Sequence, residues 1–283
     1  MKNCIGLFPD NEEIRYMANS WVQATMPHSK PKETSFIRQN GFTTFTMLAH
    51  PKYGLPYGTI PRLLMAWITT EAVKTRNPVL SLGDSLSSFM RELGLIPAGG
   101  RWGTISRLKD QMKRLFTTTI WIVKDTEPNF KPENYTPVDS ADLWWDTKTP
   151  DQIMLFNSVL TLQQKFFEEI IKKPVVFRLS TLKALKQSSL AVDIYIWITY
   201  RNSYASKPFP IKWEELQLQF GAGYPMTNRG KLDFKKKFLA TLKKVAEEYP
   251  EAGKLRTIDD KLLFVPGRPD VPKLYIVSKN SSD

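Results

Sequence analysis

The run Ala66-Trp67-Ile68-Thr69 returns as Ile196-Trp197-Ile198-Thr199, 130 positions further along the chain. Two more echoes keep nearly the same distance. Leu93-Gly94 corresponds to Phe220-Gly221, 127 positions on, and Leu108 and Met112 correspond to Phe234 and Phe238, 126 positions on. A drift of a few residues is what altered loop lengths produce between two copies of one unit. A period this long means tandem domains rather than a solenoid.

Each echo sits in the same succession of elements. In the first copy, Pro61 suits the first position of a helix running to about Arg76, where a missing N–H costs nothing. Val79–Leu82 reads as a short extended piece. Asp84 is placed to cap a helix from Ser85 to Leu93 that stops at Gly94. A turn over 96–100 leads into a helix from Trp102 to Phe116. Thr117–Lys124 reads as a strand and Ile153–Leu162 as its returning partner. Between them lies Asp125–Pro150, Pro-rich and net acidic.

The second copy starts from a helix at Phe166–Ile171, a strand at Pro174–Leu179 and a short helix capped by Ser180. An apolar helix follows at Ala191–Arg201, then a strand at Phe209–Ile211 and a helix at Trp213–Phe220 closed by Gly221. A long helix at Asn228–Tyr249 and a hairpin of Leu255–Ile258 with Leu262–Val265 complete it. Helix, short strand, helix, turn, helix and hairpin is the winged-helix order, a variant of helix-turn-helix.

The expected fold is therefore α+β, two tandem winged-helix domains in a pseudo-duplicated arrangement. Residues 1–40 read as a loosely attached, partly disordered arm with one short helix, Asn11–Ala24. A strand at Phe42–Leu48 opens the first winged-helix domain, 41–163, whose wing is the long acidic loop 125–150. The second spans 164–267, and 268–283 is a tail.

Composition narrows the chemistry. The 283 residues are 42% apolar and 24% charged, enough for ordinary cores. Forty Lys and Arg against 28 Asp and Glu leave a formal charge of +12, which favours an acidic partner. Cys4 is the lone cysteine and His28 and His50 the two histidines, so no Cys/His zinc site assembles. Neither histidine stands in a pattern that activates a nucleophile. No phosphate loop of the G-x-x-x-x-G-K-[ST] type occurs; Gly230-Lys231 is followed by Leu232. The expectation is a protein that is not an enzyme and needs no cofactor. No apolar run is long enough for a membrane span, and Met1–Asp10 lacks the layout of a signal peptide. A cytoplasmic setting fits the single cysteine.

The positive charge is concentrated on two helices. At 100° per residue, Ile105, Leu108, Met112, Leu115 and Phe116 share one stripe, while Arg107, Asp110, Gln111 and Arg114 face away. Residues 101–116 carry a net +4. In the later helix Phe234, Phe238, Leu242, Val245 and Tyr249 form the stripe, and residues 227–246 carry +6. These are the positions at which a winged helix meets DNA. The expected contact set is Arg101, Arg107, Lys109, Asp110, Lys113 and Arg114 in the first unit. In the second it is Asn228, Arg229, Lys231, Asp233, Lys235, Lys236, Lys237, Lys243 and Lys244. Lys and Arg offset phosphate charge, Arg chelates guanine, and an outward Asp accepts from cytosine. Asp110 and Asp233 read equally well as i,i+4 partners of Arg114 and Lys237. Most aromatics, Trp67, Trp197, Trp213 and Phe166 among them, fall on apolar stripes and read as core. Trp144-Trp145 lies in the acidic loop, where pinning the loop and contacting a partner are both open.

The chain resembles the plasmid-encoded RepA replication proteins of Gram-negative bacteria. The residues that carry the resemblance are Tyr53-Gly54-Leu55-Pro56-Tyr57-Gly58, Pro61-Arg62-Leu63-Leu64, Ala66 to Ala72, Gly83-Asp84-Ser85-Leu86, Phe89 to Gly94 and Gly99-Gly100-Arg101-Trp102-Gly103. Leu190 to Tyr195, Thr199-Tyr200-Arg201 and Gln219-Phe220-Gly221 extend it, over roughly residues 40–270. The resemblance implies sequence-specific binding to double-stranded DNA at a plasmid origin, at short direct repeats. It also implies opening of an AT-rich segment, recruitment of the host initiator and helicase, and a link to copy control. For the wider class it implies exchange between a homodimer and a monomer. Two rivals remain. A tandem winged-helix transcriptional repressor would bind DNA without opening it. A rolling-circle nicking enzyme needs a His-hydrophobe-His metal motif, and here the two histidines stand 22 positions apart.

Overall fold

The computed structural model describes residues 14–144, 149–152, 158–221 and 223–272. The chain begins with β1 (Ile14–Met17), α1 (Asn19–Gln23), β2 (Ser35–Asn40) and β3 (Thr43–Leu48). Next come α2 (Ile60–Thr75), β4 (Val79–Ser81), α3 (Leu86–Glu92) and α4 (Thr104–Phe116). Then β5 (Thr119–Thr126), β6 (Asn129–Tyr135), β7 (Val138–Asp142) and β8 (Val159–Leu162) follow. A connecting stretch holds α5 (Gln164–Lys172), β9 (Val175–Arg178) and α6 (Leu179–Leu185). The chain continues with α7 (Ser189–Asn202), β10 (Phe209–Lys212), α8 (Trp213–Phe220) and α9 (Asn228–Glu248). A short 3-10 turn at Pro250–Lys254, then β11 (Arg256–Ile258) and β12 (Lys261–Phe264), complete it.

The internal repeat is visible in the topology. α2, β4, α3, α4 and the strands β7 and β8 form one unit; α7, β10, α8, α9, β11 and β12 form the other. Each has a three-stranded antiparallel sheet in which the last strand lies between the other two, β4-β8-β7 and β10-β12-β11. The packing repeats as well. Trp67 of α2 meets Phe89 of α3 edge-on at 5.0 Å, and Trp197 of α7 meets Phe220 of α8 edge-on at 5.5 Å. These aromatics fill the angle between the first two helices of each unit.

The caps explain where the helices begin. Ser85 rather than Asp84 caps α3, its side chain accepting from the Ser88 N–H at 3.2 Å. Ser188 does the same for α7 through Ala191, and Thr227 for α9 through Gly230.

Two expectations are corrected. The described part of the N-terminal segment is no loose arm. β1 pairs antiparallel with β9, and the Tyr16 N–H donates to Thr70 Oγ1 of α2 at 3.0 Å. Trp21, Val22 and Met26 are buried in a continuous apolar cluster that runs through both halves, out to Phe264. The segment is polar on average but places its few apolar side chains at alternating or helical spacing. The described part of the expected helix Asn11–Ala24 is instead a strand followed by a five-residue helix.

The second correction concerns the acidic loop 125–150. The partner of β5 is β6, seven residues inside that supposed loop, and not the segment before Leu162. β3 pairs with the other edge of β5, giving a four-stranded sheet β2-β3-β5-β6 with no counterpart in the second unit among the described residues. Pro132 is tolerated because β6 is an edge strand, where no ladder hydrogen bond is lost. The span between β7 and β8 remains as a connection. In it the Trp144 N–H donates to Ser158 Oγ at 2.9 Å, while Trp145 lies outside the described residues, as do 1–13, 153–157 and 273–283.

Candidate nucleic-acid interface

α4 and α9 occupy the same place in the two units. Their inner stripes are buried as the periodicity predicts: Ile105, Leu108, Met112 and Leu115 on α4, and Phe234, Phe238, Leu242 and Val245 on α9. The outer faces are set by what each cation touches.

On α4, Arg114 is withdrawn from the surface. Its side chain is 12% exposed and bonds Asp110 Oδ2 at 2.8 Å and the Leu55 carbonyl at 3.3 Å. It lies over the Tyr57 ring at 5.4 Å, and Gly54 lets it in: a Cβ there would stand 2.7 Å from Nη1. Gln111, also expected to face outward, is buried and accepts from the Tyr57 N–H at 2.8 Å. The segment 54–57 therefore covers the flank of α4 that these two residues share. Among the described residues, Arg101, Arg107, Lys109 and Lys113 carry no ion pair, and Arg101, Arg107 and Lys113 are exposed.

On α9, three of the seven cations are tied to carboxylates. Arg229 pairs with Asp233 at 3.1 Å, Lys231 with Glu214 of α8 at 2.7 Å, and Lys235 with Asp260 at 2.6 Å. Asp233 thus pairs backward, with Arg229 and not Lys237. The hydrogen bond from Lys231 holds the Glu214 carboxyl below its usual range, and that from Lys235 does the same for Asp260. The last contact fixes the hairpin tip to the helix. Asp259 and Asp260 both have positive φ, 47° and 54°, the geometry of a two-residue turn whose twist matches the strands. Lys236, Lys237, Lys243 and Lys244 are exposed and carry no ion pair with the described residues. Asn228 is exposed in the first turn. Each unit therefore presents four uncompensated cations on or beside its helix, although the sequence places more charge on the second.

Two features escaped the sequence. An open groove of about 1170 Å³ lies beside α9, lined on one side by Lys30 and Lys32 and on the other by Tyr224, Phe234 and Lys237. Those two lysines were legible only as part of a polar segment. Trp102, at the mouth of α4, is 80% exposed, where its place at a helix start suggests packing.

The described residues hold no group of three or more His, Cys, Asp or Glu able to bind a metal. No helix among them is long and apolar enough to cross a membrane. His28, one of the two histidines, bonds Asp193 at 2.8 Å; the other, His50, lies against Tyr53 at 5.1 Å.

Comparison with solved structures finds four similar chains, two of them of RctB as follows. A crystal structure of domains 2 and 3 of RctB has a TM-score of 0.51 at 12% identity, covering 86% of this chain and 93% of that one. A selenomethionine-derivative structure of the same two domains has a TM-score of 0.51 at 12% identity, covering 80% and 85%. At that identity the likeness is one of fold. No curated protein matches in sequence. The sequence pattern of the plasmid-encoded RepA proteins matches residues 55–209, more than half of the chain and most of the first unit through α7. The chain belongs to the plasmid-encoded RepA protein family.

Proposed function

We propose that this chain initiates plasmid replication by binding double-stranded origin DNA through two winged-helix units, with α4 and α9 as recognition helices and the β7–β8 and β11–β12 connections as wings. The observation that carries the reading is the recurrence of four uncompensated cations at equivalent helices of two units with the same strand order. One amphipathic basic helix is commonly a solvated face; two at matching positions are the footprint of a polyanion. Membership of the RepA family supplies the plasmid setting. In this reading the protein binds direct repeats, opens an adjacent AT-rich segment and hands the site to the host initiator and helicase. It catalyses no reaction itself and works in the cytoplasm.

Six to ten phosphate contacts would cost roughly 10³–10⁵ in affinity between 50 and 200 mM salt. Footprinting on plasmid DNA flanking the gene, repeated across salt, tests the proposal. Protection of repeats within a segment that supports replication is the expected result. Protection confined to a promoter would favour a repressor, and a flat salt response would remove the two-helix contact.

A further inference from the structure

The loop between α3 and α4 holds an aromatic ring out into solvent on a rigid mount. Trp102 is 80% exposed and Ile96, at the other end of the loop, 79%. A single exposed apolar side chain on a slack loop would mean little. This loop is closed on itself. Thr104 Oγ1 donates to the Ile96 carbonyl at 2.5 Å and accepts from the Ala98 N–H at 2.9 Å. Ser106 Oγ donates to the Gly100 carbonyl at 2.8 Å, and the Gly103 and Ile105 N–H groups return to Gly100 and Ala98. Lys186, at the end of α6 in the connecting stretch, donates to the Gly94 carbonyl at 2.7 Å. Gly103 makes the closure possible, since a Cβ there would meet the carbonyl oxygens of Ala98 and Gly99 at 2.2 Å.

The surroundings choose the ligand. Arg101 places its guanidinium 5.1 Å from the Trp102 ring centre, and Arg107, Lys109 and Lys113 follow on α4. The nearest carboxylate on the helix, Asp110, is held by Arg114. An apolar ring in a field of uncompensated positive charge suits a flat, π-faced group carried on a polyanion. A nucleobase is that group: its face stacks on indole while its phosphates meet the cations. The ring stands at the N-terminal end of α4, the end that a helix-turn-helix turns toward the bases.

We propose that Trp102, backed by Arg101, is a stacking platform for one unstacked nucleobase. It would hold a base only after local opening, which ties this loop to the melted rather than the closed duplex. The proposal rests on the DNA-binding reading above and deepens it.

The test measures binding of the full chain to three probes: a short mixed-sequence duplex, the same duplex with a central mismatched bubble, and one of its strands alone. Trp102→Ala is expected to weaken the bubble and the single strand by roughly 5- to 150-fold, the worth of one stacked base, and the closed duplex by less than about twofold. Trp102→Phe should keep most of the affinity and Trp102→Leu should not. Circular dichroism checks that each variant is folded. Equal losses on all three probes, no loss on the bubble, or full rescue by Leu would overturn the proposal, Leu rescue pointing to an apolar protein partner. Failure of the wild-type chain to bind any probe would instead sink the DNA-binding reading itself, and this inference with it.

Discussion

Arg62 of α2 and Asp193 of α7 form a buried bidentate ion pair, Nε to Oδ1 at 2.7 Å and Nη2 to Oδ2 at 2.6 Å. The repeat gives the pair its place. The offset of 130 that relates Ala66 to Ile196 sets Arg62 opposite Val192, one residue from Asp193. The same turn of the first helix in each unit thus supplies the cation in one copy and the anion in the other. All five guanidinium N–H groups are satisfied, the remaining three by the carbonyls of Met26, Pro27 and Gly58. Asp193 also receives His28 at 2.8 Å. The segment after α1, the first unit and the second unit meet at one carboxylate.

Removing one member of this pair should cost more than removing both. Arg62→Met leaves Asp193 as an unpaired buried anion and is expected to cost about 3–5 kcal/mol. Arg62→Lys should recover only part, because an ammonium cannot span both oxygens. The double variant Arg62→Met with Asp193→Leu should be less destabilised than Arg62→Met alone. Urea denaturation of the wild type, Arg62→Met, Asp193→Leu and the double variant gives the coupling, and simple additivity would show that the two groups act independently.

The same cluster predicts sensitivity to acid. Burial is the largest influence on His28 and lowers its pKa below the ordinary 6.5, with Arg62 and Arg38 adding to that and Asp193 opposing it. Burial would raise the Asp193 carboxyl, but Arg62 and His28 outweigh it and hold it below 3.8. A histidine kept neutral in the fold binds its proton more readily once unfolded, so stability is lost as pH falls below 6.5. Asp193 adds a loss only below 3.8. The ring keeps 23% of its side-chain surface in contact with water, so the histidine step is modest. The thermal midpoint of the wild type should decline below pH 6.5, and His28→Gln should flatten that part of the profile. An unchanged profile in the variant would assign the acid loss to other groups.

Much of this molecule was legible in its sequence, and the illegible parts share a cause. The helix Trp213–Phe220 matches residue for residue, because Gly221 ends it and its apolar spacing is unambiguous. The inner stripes of α4 and α9 follow from the 3.6-residue period alone. What sequence could not supply was the neighbour. A helical wheel turns Arg114 away from the Leu108 stripe, but only the fold reveals that residues 54–57 lie over that side. Lys231 and Lys235 read as free charges because Glu214 and Asp260 come from other elements. β1 and β6 were missed because one is only four residues long and the other carries a proline and charged residues.

The exposed lysines of α9 should behave as phosphate contacts. Lys236→Ala combined with Lys237→Ala is expected to weaken binding to all duplexes alike and to reduce the salt slope by about 2. Lys231→Ala and Lys235→Ala should change it less, since Glu214 and Asp260 already offset those charges. Affinity measured against salt on specific and scrambled duplexes separates the two pairs. A larger slope change from the paired lysines would mean that their carboxylates let go on binding.

Arg107 and Arg114 should part ways. Arg107→Ala should leave the thermal midpoint unchanged and reduce DNA affinity. Arg114→Ala removes a group that bonds Asp110 and Leu55 and covers Tyr57, so it should lower the midpoint. Any loss of affinity in that variant should follow the loss of structure. A folded, fully stable Arg114→Ala protein that no longer binds DNA would return Arg114 to the interface.

Two glycines hold the mouths of the two basic helices, and replacing either should shift a helix start. A Cβ on Gly103, just before α4, would stand 2.2 Å from the carbonyl oxygens of Ala98 and Gly99; one on Gly230, in the first turn of α9, would stand 2.0 Å from that of Pro225. Neither neighbour is the tip of a flexible side chain, so backbone must move. In each unit the loop before the helix packs directly on its first turn, which sets where the outward cations point. Gly103→Ala and Gly230→Ala are each expected to cost about 1–3 kcal/mol, the range for overpacking, and to weaken DNA binding. Gly99 and Gly223 lie in the same two loops with nothing within 4 Å of an added Cβ, and their Ala variants serve as controls. Thermal denaturation and duplex affinity on the four proteins decide the matter. If Gly103→Ala and Gly230→Ala match their controls in both, the loops are slack and do not aim the helices.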